Sequence, residues 1–175
     1  MLPVRASANP HFVERNQPHL VFVPQVIHRW DQLGVDATES GAELLGGDLL
    51  QLVRARGRDS RGAEWRYWPD LACRGRRSRL KFYCECKASY RSDTGNCSLE
   101  WDAYQAYMAL ADAGLRIAII FDHWQMCWMQ DLEFCSPVRP GVAPGRTDYR
   151  LVPGHGPFLR PIEVFARVEL GCSLL

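Results

Sequence analysis

The residues with the strongest chemical content lie in LKFYCECK, positions 80–87. Read as a β-strand, this run places Leu80, Phe82, Cys84 and Cys86 on one face and Lys81, Tyr83, Glu85 and Lys87 on the other. An acid and a lysine two positions apart in an otherwise apolar strand call for a reason, because paired charges are rarely buried for stability. An edge strand with solvated charges is the plain alternative. Against it stands the rarity of the residue: the chain has only two lysines, Lys81 and Lys87, among 21 basic residues. The tripeptide Trp68-Pro69-Asp70 precedes this run, at a separation that lets an antiparallel hairpin bring Asp70 beside Glu85. Two carboxylates at one place repel, and a divalent cation would neutralise them. Oxygen ligands suit Mg2+, with Mn2+ as a substitute. A lysine beside such an ion can stabilise charge on a phosphate or help to orient or deprotonate the attacking water. The chemistry implied is metal-assisted phosphodiester hydrolysis.

Several elements must position these groups. The run WRYW before Pro69 and LKFYCECKAS after the basic turn RGRRSR read as an antiparallel pair of strands. Upstream, apolar residues at helical spacing predict an amphipathic helix from about Thr38 to Arg56, stopped at Gly57, with Gly46-Gly47 as a weak point. Downstream, Ser98 is the expected N-cap of a helix over 98–113 ending at Gly114. RIAIIFD then reads as a strand buried on both faces. A further strand is expected within Gln125–Phe134. Beyond Ser136, prolines and glycines break regular structure until FLRPIEVFARVEL, a last strand or helix. The domain reading is therefore residues 1–35 as an N-terminal extension without an assigned structure, 36–135 as the core, and 136–175 as a Pro/Gly-rich loop with a C-terminal element packed on that core.

Pro69-Asp70, then Glu85-Cys86-Lys87 on the following strand, then a helix and a buried strand, together resemble the PD-(D/E)XK nuclease superfamily. That group includes restriction endonucleases, archaeal-type Holliday-junction resolvases and transposon-end nucleases. The resemblance spans about residues 38–134 and implies an α/β fold: a restriction-endonuclease-like mixed sheet flanked by helices. It also implies a Mg2+-dependent DNA endonuclease in which Asp70 and Glu85 bind the metal, the Cys86 carbonyl adds a ligand, and Lys87 is the catalytic lysine. Many members carry a further carboxylate on the first helix, for which Glu39, Glu43 and Asp48 compete here. Asp48 lies beside the Leu45, Leu49, Leu52 stripe and is preferred, while Glu43 turns inward only if the glycine pair breaks the helix. Members often carry a Gln near the site, and Gln105, on the expected inward stripe with Trp101 and Met108, is the candidate.

The net charge of +1 conceals a strong asymmetry. Arg54 to Lys81 holds ten basic residues against three acids, so the rest of the chain is net acidic. Arg56, Arg58, Arg61, Arg74, Arg76, Arg77 and Arg79 are the expected contacts to the DNA backbone; a solvated, arginine-rich hairpin is the competing reading. The composition, 47% hydrophobic and 23% charged, excludes a disordered or collagen-like chain. Seven cysteines without any Cys-x-x-Cys argue against a disulfide framework or zinc ribbon. No apolar run is long enough for a membrane span, so a cytoplasmic protein is expected, with DNA as partner and a homodimer or larger DNA-processing complex as its possible assembly. Two other functions fit the same residues: a nuclease-fold module without turnover that binds DNA or a partner, and a structural or virion-associated protein.

Overall fold

The computed structural model describes residues 10–40, 54–58, 64–141 and 147–172. Helix α1 spans Pro10–Gln32 with Pro18 and Pro24 inside it. Each proline removes a helical hydrogen bond at a cost of about 3 kcal/mol. Burial of Phe22, Val23, Val26, Trp30 and Leu33 offsets that cost, since a fully buried apolar side chain contributes roughly 1.5–3 kcal/mol. Gly34, at φ +78°, takes the left-handed turn that ends the helix and starts β1, Val35–Glu39.

Strands β2 (Arg54–Arg58) and β3 (Glu64–Arg66) form a separate antiparallel pair. The main sheet continues with β4 (Leu71–Gly75) and β5 (Lys81–Lys87), followed by β6 (Asn96–Glu100), helix α2 (Trp101–Asp112), β7 (Ile117–Phe121) and β8 (Gln125–Trp128). After a 3-10 turn at Met129–Asp131 come β9 (Tyr149–Pro153), β10 (Arg160–Pro161) and α3 (Ile162–Leu170). The six-stranded sheet runs β1-β4-β5-β7-β8-β10, while β6 and β9 pair apart from it. Among the described strands only β5 and β7 pair in parallel, and β6 with α2 forms the crossover between them. This is the expected mixed α/β sheet flanked by helices.

The sheet is covered on both faces. Phe82, Cys84, Cys86, Ala118 and Ile120 pack with α1 and α3. Ile117, Ile119 and Phe121 pack on the other side with Tyr107 and Leu110 of α2 and with Leu99 and Val152 of the β6–β9 pair. The Glu85 face of β5 is therefore a second interior and not a solvated surface. All five residues of β7 are buried, as a central strand requires.

Several expected boundaries differ. The hairpin strand before the basic turn is Leu71–Gly75, so Pro69-Asp70 enters the strand and does not end it. Thr38 and Glu39 belong to β1 and Arg54–Arg56 to β2, so both described ends of the predicted helix 38–56 are strand. Its middle, with Glu43 and Asp48, lies outside the described residues. The helix expected from Ser98 starts three residues later, after Glu100, because Asn96–Glu100 pairs with Tyr149–Pro153. That pairing also places a strand in the segment read as free of regular structure. The expected strand within Gln125–Phe134 stops at Trp128.

Candidate active site

The β4–β5 register sets the site. Leu71 pairs with Cys84, which puts Asp70, one residue earlier, level with Glu85 and Cys86. The Pro-Asp corner is fixed by Ser40: its N–H donates to the Asp70 carbonyl at 2.7 Å and its hydroxyl to the Pro69 carbonyl. Asp70 Oδ2 then accepts the Cys86 N–H at 2.8 Å, a charge-assisted bond that ties the loop to β5.

Glu85 points to the α2 side, only 5% exposed. Its Oε2 accepts the Tyr107 hydroxyl at 2.8 Å, and its Oε1 lies 3.6 Å from Lys87 Nζ. Lys87 reaches further, to Glu100 Oε2 at 2.5 Å, so its ammonium sits between two carboxylates. From α1, His19 Nε2 stands 3.2 Å from Asp70 Oδ1.

The electrostatics follow from this crowding. Burial, reinforced by the Asp70 charge, pushes the Glu85 carboxyl well above its ordinary value, and Lys87 and Tyr107 offset that only in part. Burial pulls Lys87 down, but the carboxylates of Glu100 and Glu85 outweigh it and hold the ammonium protonated above its usual range. The hydrogen bond to Asp70 raises His19 against the opposing effect of burial. Tyr107 is pushed well above the ordinary phenol value by burial and then by the Glu85 charge. This end of β5 is thus short of positive charge for the acids it holds.

Asp70, Glu85, the Cys86 main chain and Lys87 are brought together here. Gln105 is not part of that group. It is exposed, whereas the residues of α2 that turn inward are Ala103, Ala106, Tyr107 and Leu110. The helix starts later than expected and presents a different stripe, so the predicted inward Gln faces solvent. Glu39, one of the first-helix candidates, is an exposed strand residue. Glu43 and Asp48 fall outside the described residues, as does Arg61.

The basic turn lies at the end of the hairpin away from the Pro-Asp corner. Arg74 pairs with Lys81 at the opposite end of the hairpin from Asp70, and the four residue steps between span roughly 13 Å. Arg76 is tied there to Asp31 and, at 2.7 Å, to Asp36. Arg74, Arg77 and Arg79 are exposed at that far end, and Arg56 and Arg58 lie in β2. The turn therefore closes α1 and β1 onto the sheet instead of flanking the acids.

Three residues of the site escaped the sequence reading. Tyr107 and Glu100 sit on the crossover whose boundaries were misplaced. A cleaner stripe at 103, 106, 107 and 110 was available to find the first of them. His19 carries a weaker signal, since it lies three residues before Phe22 on the stripe that continues through Val26 and Trp30.

Among the described residues, no group of three His, Cys, Asp or Glu side chains stands ready to hold a metal ion. The oxygens of Glu85 are engaged by Tyr107 and Lys87, which accounts for that at this end of β5. No helix of the described residues is long and apolar enough to cross a membrane.

No family model matches the chain, and no curated protein matches it. Among solved structures, the chain is similar to Hjc, a Holliday junction resolvase from the archaeal hyperthermophile Archaeoglobus fulgidus. The two share 14% identity at a TM-score of 0.49, over 84% of this chain and 98% of that one.

Proposed function

We propose that this protein is a metal-dependent nuclease that hydrolyses phosphodiester bonds in DNA. The observation that carries the reading is the buried Glu85 carboxyl, held beside Asp70 and Lys87 at one end of the sheet. A stabilising ion pair would place one acid against one base. Here burial, and then the neighbouring Asp70 charge, raise the cost of charging Glu85, an arrangement that a divalent cation would relieve.

The donor set fits such an ion. Asp70 and Glu85 supply carboxylate oxygens, and the Cys86 carbonyl belongs to the residue that already anchors Asp70; hard oxygen donors suit Mg2+ and Mn2+. When bound, the ion would polarise the scissile phosphate and lower the pKa of an attacking water. Tyr107 orients Glu85 by donating to its Oε2. Lys87, held between Glu100 and Glu85, serves as a fixed cation toward charge that develops on phosphate. Glu100 keeps that cation at the site whatever Glu85 binds.

Cleavage of supercoiled plasmid and of branched oligonucleotides with Mg2+ or Mn2+ tests this reading. Activity should stop in chelator. Lys87→Ala should lower turnover about 100- to 1,000-fold while DNA binding and fold persist. Full activity of that variant, or of the protein in chelator, refutes it.

A further inference from the structure

A groove of about 440 Å3 opens between α1 and the end of the main sheet at which β5 stops. Val21 and Phe22 of α1, with Ala88 just after β5, give it apolar walls, and Gln17, Gln25 and Asp122 add two amides and a carboxylate. Val21 is 49% exposed, so it presents an apolar surface to water at the mouth of the groove and is not part of the core. Phe22 meets Trp124 edge to face, with 5.5 Å between ring centroids, which fixes the helix wall against the β7–β8 turn that carries Asp122. Trp124 holds that turn at φ +63°, a left-handed conformation rare for a bulky residue.

The groove adjoins the acids from two sides. The Asp122 N–H donates to the Lys87 carbonyl at 3.0 Å, and Asp122 Oδ1 accepts the Tyr90 N–H at 2.9 Å, so the carboxylate is anchored to the chain that leaves β5. On α1, His19 lies between Gln17 and Val21 and stands 3.2 Å from Asp70 Oδ1. Ala88 and Lys87 are neighbours in the chain, roughly 3.8 Å apart at their Cα atoms. A DNA strand with a phosphate at Lys87 therefore lies beside the mouth of the groove.

The lining selects what can enter. A phosphate would meet the Asp122 carboxylate, and a purely apolar segment would cover that carboxylate and the amides without pairing them, at a cost in free energy. A nucleobase satisfies both kinds of wall: its faces suit Val21 and Ala88, and its edge offers amino donors to a carboxylate and mixed donors and acceptors to an amide. The volume falls within the roughly 300–1,000 Å3 of small-molecule sites and suits one heterocycle, not a pair held in a duplex. We propose that the groove receives an unpaired base of the DNA strand beside the scissile phosphate, so that the substrate is DNA with an unpaired nucleotide next to the point of cleavage. A base already unpaired enters at the least cost in lost pairing and stacking. The inference rests on the nuclease reading and gives it a substrate class.

The test measures binding of the whole chain, in chelator, to a duplex oligonucleotide with a two-adenine bulge and to the same duplex with abasic sites in the bulge. Fluorescence anisotropy should show the adenine form bound at least about threefold more tightly. Val21→Glu, at an exposed position, should remove that ratio while the abasic form still binds; any general repulsion by the new charge acts on both oligonucleotides and cancels. Gln25→Ala should lower the ratio, and Leu20→Gln, exposed on the same helix but outside the groove, should preserve it. Equal binding of the two forms by the wild type, or a ratio that survives both Val21→Glu and Gln25→Ala, overturns the inference. Cleavage of the same oligonucleotides with Mg2+ keeps the two readings apart. Cleavage without the adenine preference overturns the base site and leaves the nuclease reading intact, whereas the preference without cleavage supports the base site and refutes the nuclease reading. A wild-type chain that neither binds nor cuts either form overturns both.

Discussion

Tyr107→Phe removes one oxygen and almost nothing else, which makes it a sensitive probe of the site. The Tyr107 hydroxyl donates to Glu85 Oε2 at 2.8 Å, and its next acceptor, the Trp68 carbonyl, is 3.2 Å away. One proton serves one strong bond, so Glu85 is the partner that loses. The ring itself is 2% exposed and remains packed in the variant. Leaving a buried acceptor without its donor costs about 1–3 kcal/mol. For a chain of this length that corresponds to a fall in Tm of roughly 2–12 °C. Because burial and Asp70 hold Glu85 above its ordinary value, metal-free stability falls as pH rises from the usual carboxylate range toward the folded value. Loss of the Tyr107 bond moves that folded value higher still. The deficit of the variant should therefore widen as pH rises from the ordinary carboxylate range toward the raised folded value, and thermal unfolding by circular dichroism in chelator measures it. Tyr104→Phe, on the same helix, is the control. A Tyr107→Phe protein that melts with the wild type across that range would show that the Tyr107–Glu85 bond contributes nothing, and the orientation argument would fail.

Two further outcomes are expected. Arg29 Nε donates to Glu163 at 3.0 Å and ties α1 to α3; burial pushes Glu163 up, but the bond to Arg29 and the main chain bring it below its ordinary value. The tie is complete above the ordinary carboxylate pKa and is lost as pH falls through the depressed one, so Glu163→Gln should flatten the acid limb of stability against pH, as read by denaturant titration. At the other end of the hairpin, combined Arg74→Gln and Arg79→Asn should leave cleavage rate and the salt dependence of DNA binding unchanged; a shallower salt slope would return that turn to the DNA-binding surface.

Local pattern was legible wherever one strand carried its own signal. The alternation of LKFYCECK placed Cys84 and Cys86 in the core, and the apolar run at 117–121 marked the central strand. The Pro-Asp corner and the Glu-x-Lys strand could be joined because a hairpin makes them neighbours in sequence as well as in space. What depended on distant packing could not be read. Pro18 and Pro24 argue against a helix on local grounds, and only the burial of Phe22, Val26 and Trp30 against the sheet overrides them. Asn96–Glu100 looked like a helix start because its partner, Tyr149–Pro153, lies fifty residues away amid turn-forming residues. On α2 the stripe through Trp101, Gln105 and Met108 was read as inward, whereas packing against the sheet selects the one through Ala103, Tyr107 and Leu110. The charge asymmetry was real, but composition says nothing about which end of a hairpin a turn occupies.

The two margins of the main sheet bear on how copies of this chain could associate. β1 lies at one border and carries Asp36, Thr38 and Glu39 as exposed residues. β10 lies at the other, two residues long and ending in Pro161, which has no N–H to offer. A neighbouring strand docking on the first would meet acids, and on the second would find too short a ladder to hold. Two copies therefore gain nothing by extending the sheet from one into the other. Assembly along that direction, and the fibrous aggregation that follows from it, is disfavoured by the same residues. A dimer of this protein is therefore not expected to continue the main sheet from one copy into the other.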